Sequence, residues 1–147
     1  MRREALSDSG YRTLVEEAKL SMEQAYVPYS GFRVGAALLD GAGRVWRGCN
    51  IESASYTPTN CAERTAIFKA ISEGVRDFRA IAIVGRAPHA HELTQDATAP
   101  CGVCRQVMAE FCSGDFEIVL CNARDEVEIW TLEEMLPLRF TKESMEQ

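Results

Sequence analysis

The sequence predicts an α/β protein: a three-layer α/β/α domain on a mixed five-stranded sheet, with residues 1–147 forming one domain. Three observations carry that expectation. Stretches with helical spacing of apolar residues alternate with short strand-like runs, the pattern of layered α/β architectures. One run, Phe78 to Gly85, is almost continuously apolar, as in a strand covered on both faces. Only five residues, Asn122 to Glu126, separate the last two strands. A parallel crossover needs a dozen or more, so those two strands are expected as antiparallel neighbours.

Taken in order, Tyr11, Leu14, Val15, Ala18, Met22 and Ala25 mark a first amphipathic helix, with Ser7, Asp8 or Ser9 as its cap. It ends before Tyr26-Val27-Pro28, because a residue ahead of proline leaves the helical region. Arg33 to Asp40 and Val45 to Asn50 read as a hairpin turning at Gly41-Ala42-Gly43. A second helix should run from Cys61 to Glu73, capped by Asn60 and closed by Gly74. After the apolar strand comes a polar loop, Arg86 to Ala99, holding the only histidines, His89 and His91. Pro100 opens a third helix, Cys101 to Phe111, followed by strands at Phe116–Cys121 and Val127–Thr131. The strand–helix–strand segment through Cys101–Phe111 should form a right-handed βαβ unit. Thr131-Leu132-Glu133-Glu134 matches a capping box for a short helix that stops before Pro137. The tail from Arg139 is polar except for Phe140.

Composition narrows the function classes. With 46% hydrophobic and 26% charged residues, a chain of this length buries about 70% of its unfolded surface and needs no disulfide scaffold. A net charge of −6 without a basic block argues against a nucleic-acid partner. The longest apolar runs, Ala36–Leu39 and Ile81–Val84, fall far short of the roughly 20 residues that span a bilayer. Glu4 and Asp8 stand where a signal peptide would place its apolar segment, so the chain reads as cytoplasmic, with no membrane partner. In a reducing compartment, clustered cysteines are metal ligands or catalytic groups more often than disulfides.

Six cysteines are present, and three of them fall into a pattern. Pro100-Cys101-Gly102-Val103-Cys104 places two sulfurs three residues apart at a helix start, where they share one face. Forty residues upstream, Cys61-Ala62-Glu63 opens the other helix. Zinc accepts thiolates, and three protein ligands leave a fourth position for water, whose pKa the metal lowers to about 7. Two helix N-termini favour ionised sulfur. Three thiolates on Zn²⁺ leave a net negative centre, and Arg64 is the nearest cation in sequence that could offset it by bonding a sulfur. Together C-x-E and P-C-x-x-C match the zinc-deaminase signature in its three-Cys form.

Other readings of the same residues stay open at this point. Glu63 lies three residues after Asn60 and could complete a helix cap. Cys101 and Cys104 could form a redox pair, or all three cysteines could be small buried hydrophobes, as Cys49, Cys112 and Cys121 are read to be. His89 or His91 could close a four-ligand structural zinc site, giving a non-catalytic zinc-stabilised interaction domain.

Beyond the signature, longer runs resemble the small homotetrameric, three-Cys zinc class of the cytidine and deoxycytidylate deaminase family. They are Tyr26 to Ala37, Gly48-Cys49-Asn50-Ile51-Glu52, Cys61 to Ala66 and Pro100 to Gln106. The resemblance implies hydrolytic deamination of cytidine and 2′-deoxycytidine in pyrimidine salvage, with one Zn²⁺ per subunit on Cys61, Cys101 and Cys104. It implies Glu63 as proton shuttle, Asn50 and Glu52 on the ribose hydroxyls, Phe32 stacking on the pyrimidine and Ala62 offering backbone contacts to the base. Phe140 would complete a neighbouring subunit's pocket in a homotetramer. A carboxylate near the sugar would repel a 5′-phosphate, favouring nucleosides over nucleotides. Blasticidin-S deaminases share the motif and the chemistry, whereas Arg64 and the Phe32–Ala37 segment favour cytidine. Polynucleotide deaminases place a helix between the last two strands, which the Asn122–Glu126 connection excludes. Two departures stand out: the loop Arg86–Ala99 is longer than in the shortest family members, and Tyr56-Thr57-Pro58-Thr59-Asn60 is a variant segment.

Overall fold

A computed structural model describes all residues from Met1 to Gln147. Strand β1 (Arg2–Ala5) leads through a 3-10 turn into helix α1 (Arg12–Met22) and the hairpin β2 (Arg33–Asp40) and β3 (Val45–Cys49). Helix α2 (Ala62–Ser72), strand β4 (Phe78–Arg86), helix α3 (Gly102–Phe111) and strands β5 (Glu117–Cys121) and β6 (Glu126–Thr131) follow. Two one-turn helices, α4 (Leu132–Met135) and α5 (Lys142–Met145), end the chain.

The strands form one mixed sheet in the order β1-β6-β5-β4-β2-β3. Only β4 and β5 run parallel, joined by α3. β5 and β6 are antiparallel, as their short connection requires. The sheet has six strands, not the expected five: Arg2 to Ala5 pairs with Ile129 to Glu126 at the edge. That strand is charged and exposed or half-exposed along its length, so no alternation betrays it. Backbone pairing alone makes it a strand, and its charges suit an edge.

Apolar alternation along β4 divides the core between two faces. Ile81 and Ile83 pack with Ala62, Ala66, Ile67, Cys104 and Met108 of α2 and α3. Ala80, Ala82 and Val84 pack with Leu14, Val15, Ala18 and Met22 of α1. The three-layer expectation therefore holds, with α1 on one side and α2, α3 and α4 on the other. Arg33 Nη1 donates to the carbonyls of Glu23 and Ala25 at 3.3 and 3.0 Å, fastening the start of β2 to the turn that follows α1.

One glycine sets how closely α2 approaches the sheet. A Cβ added at Gly48 would lie 2.3 Å from the Ala62 carbonyl oxygen and 2.5 Å from the Ala66 nitrogen. Both are helix backbone and cannot yield by a rotamer change. Gly48→Ala is therefore expected to cost about 3 kcal/mol, the upper end for forced overpacking, and to displace the first turn of α2. Urea denaturation checks it, and a variant with an unchanged midpoint would refute the close-approach reading.

The β2–β3 turn hangs on a buried carboxylate. Asp40 Oδ1 accepts from the amides of Ala42 and Arg44, both at 2.9 Å, and Oδ2 accepts from Trp46 Nε1 at 3.0 Å. Burial pushes the Asp40 carboxyl up. The bonds from Trp46, Arg44 and Ala42, with the Arg44 charge, outweigh that and hold it below the usual aspartate value. A folded-state pKa below the unfolded one gives stability that is present above the unfolded pKa of about 3.9 and lost as pH falls through the folded value. Asp40→Ala should cost about 2–3 kcal/mol at neutral pH by stranding donors beside Trp46. Asp40→Asn should flatten the acid limb of the stability–pH curve, and an identical acid slope in wild type and variant would refute this account. No helix is long and apolar enough to cross a membrane.

Candidate metal centre and active site

Two helix starts meet at one point. Cys61 is the extended residue just before α2 and Cys101 the extended residue just before α3. Neither helix start carries a side-chain cap. The first turn of each helix therefore presents free amides and a positive dipole end towards sulfur. The expected cap by Asn60 does not form, because the extended residue is Cys61 and the helix begins one position later. Asn60 Nδ2 donates to Thr65 Oγ1 at 3.2 Å instead. This removes the capping-box reading of Glu63.

The three sulfurs of Cys61, Cys101 and Cys104 lie within 4.8 Å of one another, and Cys61 Sγ is 3.8 Å from Cys101 Sγ. Tetrahedral zinc with Zn–S bonds of about 2.3 Å holds its sulfurs about 3.8 Å apart, so the spacing suits that ion. Charge points the same way. The Cys61 thiol is pulled well below its usual value, first by the Cys104 thiol and then by Arg64 and Cys101, against its own burial. Cys104 is pushed up by sharing that bond with Cys61, by burial and by the Glu63 charge. Three sulfurs this close could ionise together only beside a divalent cation, the natural counter-charge. Arg64 Nη2 donates to Cys61 Sγ at 3.2 Å, while its Nε is buried without an acceptor in the chain.

Glu63 faces the same cluster from the first turn of α2 and is only 4% exposed. Burial lifts its carboxyl to about 7, with the Cys61 charge adding to the rise and its own amide, Cys104 and Arg64 opposing it. Cys101 and its neighbours Gly102 and Val103 are exposed, so the centre opens to solvent on one side. Cys49, Cys112 and Cys121 stand apart as free thiols; burial pushes Cys112 up to about 12 and is the chief cause that raises Cys121 to about 11.

A second hub gathers Phe32, Asn50 and Glu52. Asn50 Oδ1 accepts from the Val34 amide and Nδ2 donates to the Phe32 carbonyl, both at 2.9 Å. Glu52 Oε1 accepts from the amides of Tyr29 and Ser30 at 3.0 and 3.1 Å, and Oε2 accepts from Ser30 Oγ at 2.5 Å. The Ser30 bond leads the forces that hold the Glu52 carboxyl below the usual range. Reciprocal backbone bonds between Ile51 and Asn60, at 3.0 and 2.9 Å, tie this hub to the residue just before Cys61. The sequence reading missed Ser30 and the edge-on pair Tyr29–Tyr56, whose ring centroids are 6.4 Å apart. Their signal was weak, since a serine after Pro-Tyr reads as a turn residue.

Ala62 is fully buried beside Cys61. Phe140 is not drawn into either hub: its carbonyl accepts from Gln106 Nε2 at 2.8 Å and its side chain is 62% exposed. The His89/His91 loop brings no histidine to the sulfurs, because the only convergent donor group is the three cysteines.

Three convergent cysteines and a buried carboxylate at paired helix starts on a mixed sheet make a candidate metal centre, exposed on the Cys101 side. A family model described as "Cytidine and deoxycytidylate deaminase zinc-binding region" matches residues 9–120. The chain belongs to the cytidine and deoxycytidylate deaminase family. It is 53% identical over 132 residues to a cytidine deaminase from Halalkalibacterium halodurans, covering 90% of this chain and 95% of that one. A cytidine deaminase from Sporosarcina psychrophila is 50% identical over 132 residues, covering 90% and 92%. Among solved structures, cytidine deaminase from Burkholderia pseudomallei is similar at 46% identity and a TM-score of 0.80, over 90% of this chain and all of that one.

Proposed function

We propose that the protein is a zinc-dependent cytidine deaminase converting cytidine and 2′-deoxycytidine to the uracil nucleosides and ammonia. The observation that carries this reading is the meeting of three sulfurs from two helix starts beside one buried carboxylate. Cys61, Cys101 and Cys104 would hold one zinc ion per chain. Bound there, zinc supplies a Lewis acid that brings the pKa of a coordinated water to about 7. Arg64 offsets the thiolate charge through its bond to Cys61.

Glu63 is the proton carrier. It takes a proton from the water that adds to C4 and delivers it to N3. It then moves the second proton to the exocyclic amine, and the C4–N bond breaks to release ammonia. One carboxylate serves as base and then acid, and such a group works best with a pKa near the operating pH. Burial of Glu63 beside the sulfurs keeps it within reach of both steps.

Phe32 offers its ring face to the pyrimidine, and Ala62 offers its backbone at the start of α2. Hydrogen-bond accounting supports a sugar site at Asn50 and Glu52. Glu52 keeps acceptor capacity on Oε2, and Asn50 keeps one N–H, after their bonds within the chain are counted. A sugar hydroxyl, which both donates and accepts, fits that pair. The Glu52 charge disfavours a 5′-phosphate. Phe140 would complete the pocket of a neighbouring copy in a homotetramer, a role supported by its exposure and by the exposed Tyr26, Tyr29, Ile51 and Val103.

The test is ammonia release from cytidine by zinc-loaded protein, with blasticidin S as the competing substrate and light scattering for subunit number. Turnover of cytidine with one zinc per chain is expected. Turnover of blasticidin S alone, or X-ray absorption showing four protein ligands on the metal, would overturn the reading.

A further inference from the structure

We infer that Ser30 is a positioning residue that couples sugar recognition to the base-stacking ring, an inference that rests on the nucleoside reading above. Its hydroxyl donates to Glu52 Oε2 at 2.5 Å and accepts from the Phe32 amide at 3.0 Å. The carbonyl of the same Phe32 accepts from Asn50 Nδ2. Both backbone polar groups of Phe32 are thus held by side chains, one by a member of the sugar pair and one by a hydroxyl bonded to the other member. A serine bonding the amide two residues on is an ordinary local turn. The bond to Glu52 is different, because it crosses 22 residues of sequence and fixes which carboxylate lone pair stays free.

The turn that carries Ser30 is backed by the long 86–99 loop. Gly31 has φ 70°, and a Cβ there would lie 3.0 Å from Pro88 Cβ. Pro88 therefore sits against the turn, so the segment leading into Phe32 rests on a second support. Without the Ser30 hydroxyl, the Glu52 carboxylate would keep its two amide bonds on Oε1 and lose the one that orients Oε2. Phe32 would lose the tether on its amide.

A hydroxyl-deletion cycle tests this on the zinc-loaded protein. Wild type, Ser30→Ala and Ser30→Thr are assayed on cytidine and on its 2′-, 3′- and 5′-deoxy analogues. Wild-type turnover of cytidine establishes the parent reading separately; its absence would sink both. Given turnover, Ser30→Ala should lower kcat/KM for cytidine about tenfold, chiefly through KM. The penalty for deleting the one hydroxyl that Glu52 accepts should shrink by a similar factor in Ser30→Ala, leaving the other two deletions unchanged. Ser30→Thr, which keeps the hydroxyl, should stay within about threefold of wild type on all four substrates. Zinc content and unfolding midpoint monitor the fold. An equal loss on all four substrates, no loss at all, or a failure of threonine to restore the hydroxyl-specific effect would overturn the coupling.

Discussion

Glu63→Gln is expected to reduce kcat for cytidine by about 10⁴-fold, with zinc content and unfolding midpoint held near wild type. Glutamine matches glutamate in shape and still fits the first turn of α2, so the variant isolates proton transfer from packing. Two proton movements in one turnover depend on the same carboxylate, which puts the loss at the upper end of the range for general acid–base groups. Burial of Glu63 at 4% exposure also means that bulk water has poor access to replace it. Single-turnover kinetics on the metal-loaded variant is the measurement. Turnover within tenfold of wild type would remove Glu63 from the mechanism while leaving the metal site intact.

Cys104→Ala should leave the purified protein with little or no zinc, no measurable deamination and a stability loss of about 3–4 kcal/mol, the linkage expected when a tightly bound ligand is removed. Cys104 is fully buried on the core side of α3, and its sulfur is one of only three convergent donors. Two remaining thiolates cannot fill the protein side of a three-ligand site. Cys112→Ala is the control, because that thiol lies apart from the cluster and burial keeps it protonated. Metal analysis beside calorimetry reads both. Stoichiometric zinc in the Cys104 variant would place the ion elsewhere.

The legible parts of this molecule share one property. Each rests on a short segment whose residues have strong preferences. Phe78 to Gly85 is apolar on both faces because both faces are covered, and the structure places α1 over one and α2 and α3 over the other. The Thr131–Glu134 capping box forms with both reciprocal bonds. The five-residue connection leaves β5 and β6 no parallel option. Cysteines at two helix starts, with a carboxylate two residues on, announce a metal site because few other roles need those residues in that order.

The illegible parts depend on partners distant in sequence. Strand β1 is polar and exists through its backbone pairing with β6. The boundary of α2 was misplaced by one residue because asparagine is a strong cap and cysteine a weak one, yet the chain gives Cys61 the extended conformation that brings its sulfur to Cys101. Ser30 looks like any turn serine until Glu52 is folded back upon it. Phe140 carries a family expectation that a single chain leaves exposed.

By itself the sequence determined the layered α/β class and the antiparallel final pair of strands, and it singled out Cys61, Cys101 and Cys104, with Glu63 and Arg64, as candidates for one site. It could do so because periodicity, loop length and side-chain chemistry are local quantities. Only the tertiary structure decided that the sulfurs of α2 and α3 stand within one ion's reach, that Glu63 is buried beside them, and that Asn50, Glu52 and Phe32 share one hydrogen-bonded hub. Those outcomes depend on how closely α2 can settle onto Gly48 and on bonds between segments tens of residues apart, and no local preference encodes such distances.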